Sequence, residues 1–253
     1  MSIQCQRYGG GKPVILLHGF PMNAAVWSGF APLLSTDYEV IAPDIPGFGA
    51  SDLLPSPFSL SDVGDAINLF VEHNNLSGAA LIGHSLGGYV ALEMVSKRPD
   101  LFSALGLFHS TALADTPEKK ETRTKVVDFI ARNGAEAFTS SFIGPLFADP
   151  QHPSIETVKE IAAGSPAETV TAYTIAMRDR RDHTATLATL KMPVLFICGE
   201  KDGGIPVESI RKQAARCLYP TVRILNGVGH MAMFEEPEGA AKAVHDFLVK
   251  NVT

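Results

Sequence analysis

The sequence predicts an α/β fold: a mostly parallel central sheet, helices on both of its faces, and a helical cap inserted into the chain. Three observations predict it. Short, continuously apolar runs recur along the chain, as expected for strands covered on both faces. Amphipathic helical patterns lie between these runs, an alternation that implies parallel strands joined by crossover helices. One stretch, from about residue 113 to residue 190, carries helical patterns and no convincing strand.

The predicted strands are Val14–Leu17, Val40–Ala42, Ala79–Ile82, Ala104–Phe108, Val194–Cys198 and Val222–Leu225. Ser59 is placed to cap a helix whose apolar stripe holds Val63, Ile67, Phe70 and Val71. Pro237 suits the first turn of a C-terminal helix with Ala240, Ala241, Val244, Phe247 and Leu248 on one face. Within the long helical stretch the candidates are Lys119–Ala131, Ala135–Phe142, Ile155–Ala163 and Glu168–Met177. That stretch is too long for a loop. The domain reading is therefore a core of residues 1–112 and 191–253, with residues 113–190 as a cap above the C-terminal edge of the sheet, where open α/β sheets bind ligands.

Composition narrows the function. The chain has 253 residues, 45% of them hydrophobic and 19% charged, with a net charge of −6. A core of this size needs no disulfide or metal for stability. The acidic balance and the lack of a basic stripe speak against a nucleic-acid partner. Cys5, Cys198 and Cys217 are too few and too scattered for a disulfide framework, so a reducing compartment is expected. No window approaches the roughly 20 apolar residues that span a bilayer, and the N-terminus does not read as a signal peptide. The expectation is a cytoplasmic protein with no membrane partner.

The chemistry centres on Gly83-His84-Ser85-Leu86-Gly87. This G-x-S-x-G follows a predicted strand and precedes a predicted helix. A sharp strand-to-helix turn needs small flanking residues, and it lifts the serine hydroxyl clear of the sheet. There the Leu86 backbone N–H and the helix dipole face any oxyanion that forms. The competing reading is a serine that only caps a helix, and the strand-before, helix-after context weighs against it. His18-Gly19-Phe20-Pro21 follows the first predicted strand, and the Phe20 N–H is the second candidate oxyanion donor. His18 is expected to brace that loop, and Asp44, in a Gly/Pro-rich turn, to accept backbone N–H groups.

Candidate acid and base follow the next strands. Gly199-Glu200-Lys201-Asp202 comes after Val194–Cys198, and Gly229-His230 lies just beyond Val222–Leu225. Asp202 is preferred to Glu200 because it lies deeper in its loop, and Glu200 is the fallback. His109, at a strand end, stays open. His73, His152, His183 and His245 read as solvated or capping, and the His84 side chain as pointing away from Ser85, to pack or hydrogen-bond. No histidine pair has metal-ligand spacing, so no metal is expected. Phe142, Met177 and Met231 are candidate substrate-binding residues. Phe138, Phe142, Ile143, Phe147 and Met177 form either the core of the insertion or the wall of a pocket. Arg178, Arg180 and Arg181 are candidates to hold a substrate carboxylate, with a solvated helix end as the competing reading.

Taken in order, His18-Gly19-Phe20, the segment Asp44–Ser51, Gly83–Gly88, Gly199–Asp202 and Gly229-His230 resemble the α/β-hydrolase superfamily over nearly the whole chain. The resemblance implies a serine hydrolase with Ser85 as nucleophile, His230 as base and Asp202 as the acid that orients it. It implies no cofactor, and a small-molecule ester as substrate. Serine at position 85 argues against the dehalogenase and epoxide hydrolase branches, which use aspartate there. Small esterases, including carrier-protein methyl esterases, are the most similar branch, with enol-lactonases and carbon–carbon bond hydrolases as alternatives. A ligand-binding receptor on the same scaffold is the alternative outside enzymology. Family members usually open with an antiparallel hairpin. Here only Ser2–Tyr8 precedes the loop before Val14, which leaves room for one edge strand fewer.

Overall fold

Alternate residues of the apolar runs face opposite ways, and the fold uses both faces. In the computed structural model, which describes residues 1–252, Val14 and Leu16 enter one buried cluster while Ile15 and Leu17 enter another. Ala80 and Ile82 likewise oppose Ala79 and Leu81. The clusters lie on the two sides of one sheet, which is why these strands are apolar throughout.

The strands are β1 (Cys5–Tyr8), β2 (Lys12–Leu17), β3 (Tyr38–Pro43), β4 (Ala79–His84), β5 (Phe102–Phe108), β6 (Val194–Gly199) and β7 (Pro220–Leu225). Among the described residues they form one sheet in the order β1-β3-β2-β4-β5-β6-β7. Only β1 runs antiparallel, against β3. A single edge strand therefore stands where a hairpin is usual. β7, expected to be buried, is half-exposed along its length, because as the other edge it has one neighbour only.

The helices are α1 (Ala31–Leu34), α2 (Leu60–His73), α3 (Leu86–Lys97), α4 (Pro117–Asn133), α5 (Ala135–Ile143), α6 (Ser154–Ala163), α7 (Ala167–Arg178), α8 (Thr184–Thr189), α9 (Val207–Ala214), α10 (Ala232–Glu235) and α11 (Pro237–Asn251). A capping box starts α2: Ser59 Oγ accepts from Asp62 N, and Asp62 Oδ2 accepts from Ser59 N at 2.8 Å. Pro237 opens α11, whose Val244, Phe247 and Leu248 are buried.

Between β5 and β6 run α4 to α8. Their apolar residues do not form a separate core. Phe138, Val170, Tyr173 and Met177 join the cluster that holds Ile15 and Leu81, while Ile143, Phe147 and Val158 join the one on the opposite face. Buried hydroxyls tie the segment to loops beyond the strand ends: Ser165 Oγ donates to Pro21 O, Thr169 Oγ1 to Gly47 O, and Tyr173 Oη to Pro46 O at 2.7 Å.

Candidate active site

Ser85 sits between β4 and α3 with φ 51° and ψ −112°, a conformation that costs a non-glycine residue energy. The turn is tight. A Cβ on Gly83 would lie 2.3 Å from the Gly87 backbone, and one on Gly87 would lie 2.5 Å from Leu17 O, so neither position has room for a side chain. Ser85 N donates to Phe108 O at 3.0 Å, and Ser110 Oγ donates to Ser85 O at 2.7 Å. Both bonds hold the strained turn from β5 and the loop after it.

Ser85, His230 and Asp202 open on one cavity of about 420 Å³. His230 Nδ1 lies 2.7 Å from Asp202 Oδ2. The backbone around His230 is clamped: its N–H donates to Leu146 O at 2.7 Å, and His84 Nε2 donates to its carbonyl at 3.0 Å. Asp202 is buried. Its Oδ1 accepts from Gly204 N and Ile205 N, and its Oδ2 also faces His109 Nδ1 at 2.9 Å. Burial opposes the Asp202 charge, but the two histidines outweigh it and hold the carboxyl well below the usual carboxylate range. Glu200 points to solvent and accepts from Gly227 N, so of the two acids named from sequence Asp202 is the one beside His230.

Phe20 and Leu86 are the two candidate oxyanion donors. Phe20 lines the cavity, and Leu86 is the first residue of α3. Among the described residues neither N–H donates to another group of the chain, which leaves both for an oxyanion. His18 braces this loop. Its Nε2 accepts from Ile45 N at 2.9 Å and its Nδ1 donates to Gly19 O, while burial pushes its pKa down to about 4. Asp44 accepts from Ala24 N and Ala50 N.

The substrate-binding candidates divide. Phe142 lines the cavity with Tyr89, Val126, Phe138 and Leu146. Met177 and Met231 do not. Met177 packs on the α7 face turned into the core, and Met231 is fully buried in the cluster that holds Val14 and Leu16. The three arginines are also elsewhere. Arg180 is buried, donating to Leu113 O and Met177 O with Asp115 Oδ1 2.7 Å away. Arg181 pairs with Glu93 and Arg178 with Asp179. The cations that do line the cavity are Lys119 and Arg123 of α4, the latter hydrogen-bonded to Asp115. Lys119, Thr122, Arg123 and Val126 all line it, at the i, i+3, i+4, i+7 spacing of one helix face.

His109, Asp202 and His230 offer ligand atoms within 4.8 Å of one another. The 2.7 and 2.9 Å separations are N–H···O distances, so these atoms serve one another as donors and acceptor before they serve a cation.

Comparison with known proteins adds to this geometry. A family model described as alpha/beta hydrolase fold matches residues 12–237. The pimeloyl-[acyl-carrier protein] methyl ester esterase of Aeromonas hydrophila is 28% identical, over 98% of this chain and 100% of that protein. The acetyltransferase component of the acetoin cleaving system of Pseudomonas putida is also 28% identical, but the chain spans only 65% of its length. A solved thermophilic esterase from Thermogutta terrifontis superposes with a TM-score of 0.93 at 30% identity, covering 99% of this chain and 94% of that one.

Proposed function

The chain belongs to the α/β-hydrolase family, and on that premise we propose that it is a serine-dependent carboxylic-ester hydrolase acting on small, largely apolar esters. The observation that carries this reading is that Ser85, on its strained turn, shares a cavity with His230, whose Nδ1 lies 2.7 Å from the buried Asp202 carboxylate.

Serine is a weak nucleophile without an adjacent base. His230 Nε2 takes the Ser85 proton as Oγ attacks the ester carbonyl carbon, and Asp202 fixes the tautomer and stabilises the imidazolium. The Phe20 and Leu86 N–H groups receive the negative charge on the former carbonyl oxygen. Each such donor is worth roughly 3 kcal/mol of barrier. The carbon–oxygen bond to the alcohol then breaks, and His230 returns its proton to the departing alkoxide. Water, deprotonated by His230, attacks the acyl-enzyme and frees Ser85 and the acid. The residues 113–190 act as the cap, with Phe138 and Phe142 bounding the acyl site. No cofactor enters the scheme. Three free cysteines and the lack, among the described residues, of a helix able to cross a membrane suit a cytoplasmic location.

A second reading is favoured by Lys119 and Arg123 on the cavity wall. The same groups would cleave a lactone or ester that carries a carboxylate at its far end. Assay of the purified protein on neutral esters, half-esters of dicarboxylic acids, lactones and thioesters separates the readings. Turnover of none of them would refute both.

A further inference from the structure

Asp202 Oδ2 is shared by two imidazoles: His230 Nδ1 at 2.7 Å and His109 Nδ1 at 2.9 Å. His109 follows β5, is fully buried, and holds the left-handed φ of 49°. Its ring stands 5.5 Å from that of His230 and 5.2 Å from that of Phe108, between centroids. The Gly199 N–H also approaches His109 Nδ1, at 3.4 Å. A nitrogen cannot both donate and accept, and the shorter bond, to an ionised carboxylate, decides. His109 Nδ1 therefore carries the proton. Its Nε2 is buried with no partner among the described residues.

As packing, this histidine is a poor choice. A buried ring nitrogen without a partner and a left-handed backbone both cost stability, and the one side-chain bond set against them is that to Asp202. We propose that His109 is a positioning residue of the active site: it donates to the same Asp202 oxygen as His230, fixes the carboxylate plane, and divides its negative charge between two imidazoles.

The mechanical part follows from geometry. With Oδ1 held by Gly204 N and Ile205 N and Oδ2 by two rings, the carboxylate has four donors and no freedom to rotate. The electrostatic part follows from sharing. Every donor on a carboxylate lowers its affinity for the next positive partner. Removing the His109 donor leaves the full charge of Oδ2 to the His230 imidazolium. The other groups facing this pair are Ser85 and His84 from β4 and its turn, Cys198 of β6, Glu235 of α10, and Asp115, Lys119 and Arg123 across the cavity. None of them contacts Asp202 Oδ2.

The role rests on the proposed hydrolase reading only where a rate is measured. His109→Asn and His109→Leu are nearly isosteric with each other, but only asparagine can donate from the position of Nδ1. The expected result on an ester substrate is that His109→Leu moves the acid limb of kcat/KM to higher pH by roughly one unit and lowers plateau kcat about tenfold. His109→Asn should keep the limb near that of the unmodified enzyme. Equal limbs in all three proteins would overturn the proposal. A second measurement needs no variant to fold: proton NMR of the unmodified protein should show two imidazole N–H signals far downfield, one for each ring on Asp202. A single signal, or nitrogen-15 shifts that put the His109 proton on Nε2, would overturn the proposal even if no ester is ever turned over.

Discussion

The Glu235 carboxylate accepts a 2.8 Å hydrogen bond from the backbone N–H of Ala148, and so joins the segment after α5 to the loop that carries His230. The same carboxylate accepts from Gly229 N and Met231 N at 3.0 Å, on either side of His230. One side chain thus holds the backbone on both sides of His230 and the Ala148 backbone together. Glu235→Ala would strand three N–H donors and is expected to cost about 3 kcal/mol of stability. It should also lower kcat about tenfold through a misplaced His230. Glu235→Gln, with one acceptor oxygen left, should fall between. Thermal unfolding and steady-state kinetics on the three proteins test the ordering.

Ser85, the proposed nucleophile, stands on a strained backbone, and two substitutions separate the role from the strain. Ser85→Ala should abolish turnover and labelling by a fluorophosphonate, with little change in stability. Ser85→Gly should be equally inactive yet more stable by about 1 kcal/mol, because glycine accepts this conformation without penalty. A glycine variant no more stable than the alanine one would mean that the turn stores no strain.

Acid stability has a definite sign. His18 is buried with its pKa lowered by burial from an ordinary 6.5 to about 4. The unfolded chain therefore binds a proton there that the folded chain refuses, and stability falls as pH drops from 6.5 toward 4, by about 3 kcal/mol for this residue alone. His84 and His109 are lowered by burial as well and act in the same direction. The depressed Asp202 acts later: its contribution is complete above the ordinary carboxylate range and is lost only below about pH 4. Urea midpoints measured from pH 7 to pH 4 should show this slope, and His18→Gln should flatten it while lowering stability at pH 7.

Much of this was legible in the chain, for physical reasons. A strand buried on both faces must be apolar throughout, so β2 to β6 announce themselves. The Ser85 turn tolerates only glycine at 83 and 87, and that steric demand writes a motif. What was not legible depends on partners far away in sequence. Arg180 looks like a free cation until Asp115 and Leu113 O are seen against it. Met231 follows His230 directly, yet it packs in the core. Lys119 and Arg123 sit on a helix so polar that no apolar stripe says which side faces the cavity. His109 shows in the sequence only as a strand-end histidine, since its role exists only where β5 and the loop after β6 meet.

The size of the cavity makes the last prediction. About 420 Å³ suits a small molecule rather than a polymer, and its apolar lining includes Phe20, Tyr89, Phe138, Phe142 and Leu146. Phe20 stands 6.1 Å from Phe138 and 6.0 Å from Phe142, centroid to centroid, so three clustered rings make up part of the wall. Each methylene that enters is worth roughly 0.8 kcal/mol, or about a fourfold gain in kcat/KM if the transition state keeps the contact. On an aryl-ester series kcat/KM should therefore climb about fourfold per carbon at short chain length and then drop once the rings are met. Phe142→Ala opens that wall, and the optimum should move to longer acyl chains while acetate is cleaved less well. If instead the rate rises without limit out to emulsified long-chain lipids, the closed pocket is the wrong description. If neutral esters are poor throughout and a half-ester is good, Lys119 and Arg123 set the specificity. Lys119→Ala should then raise KM for the half-ester.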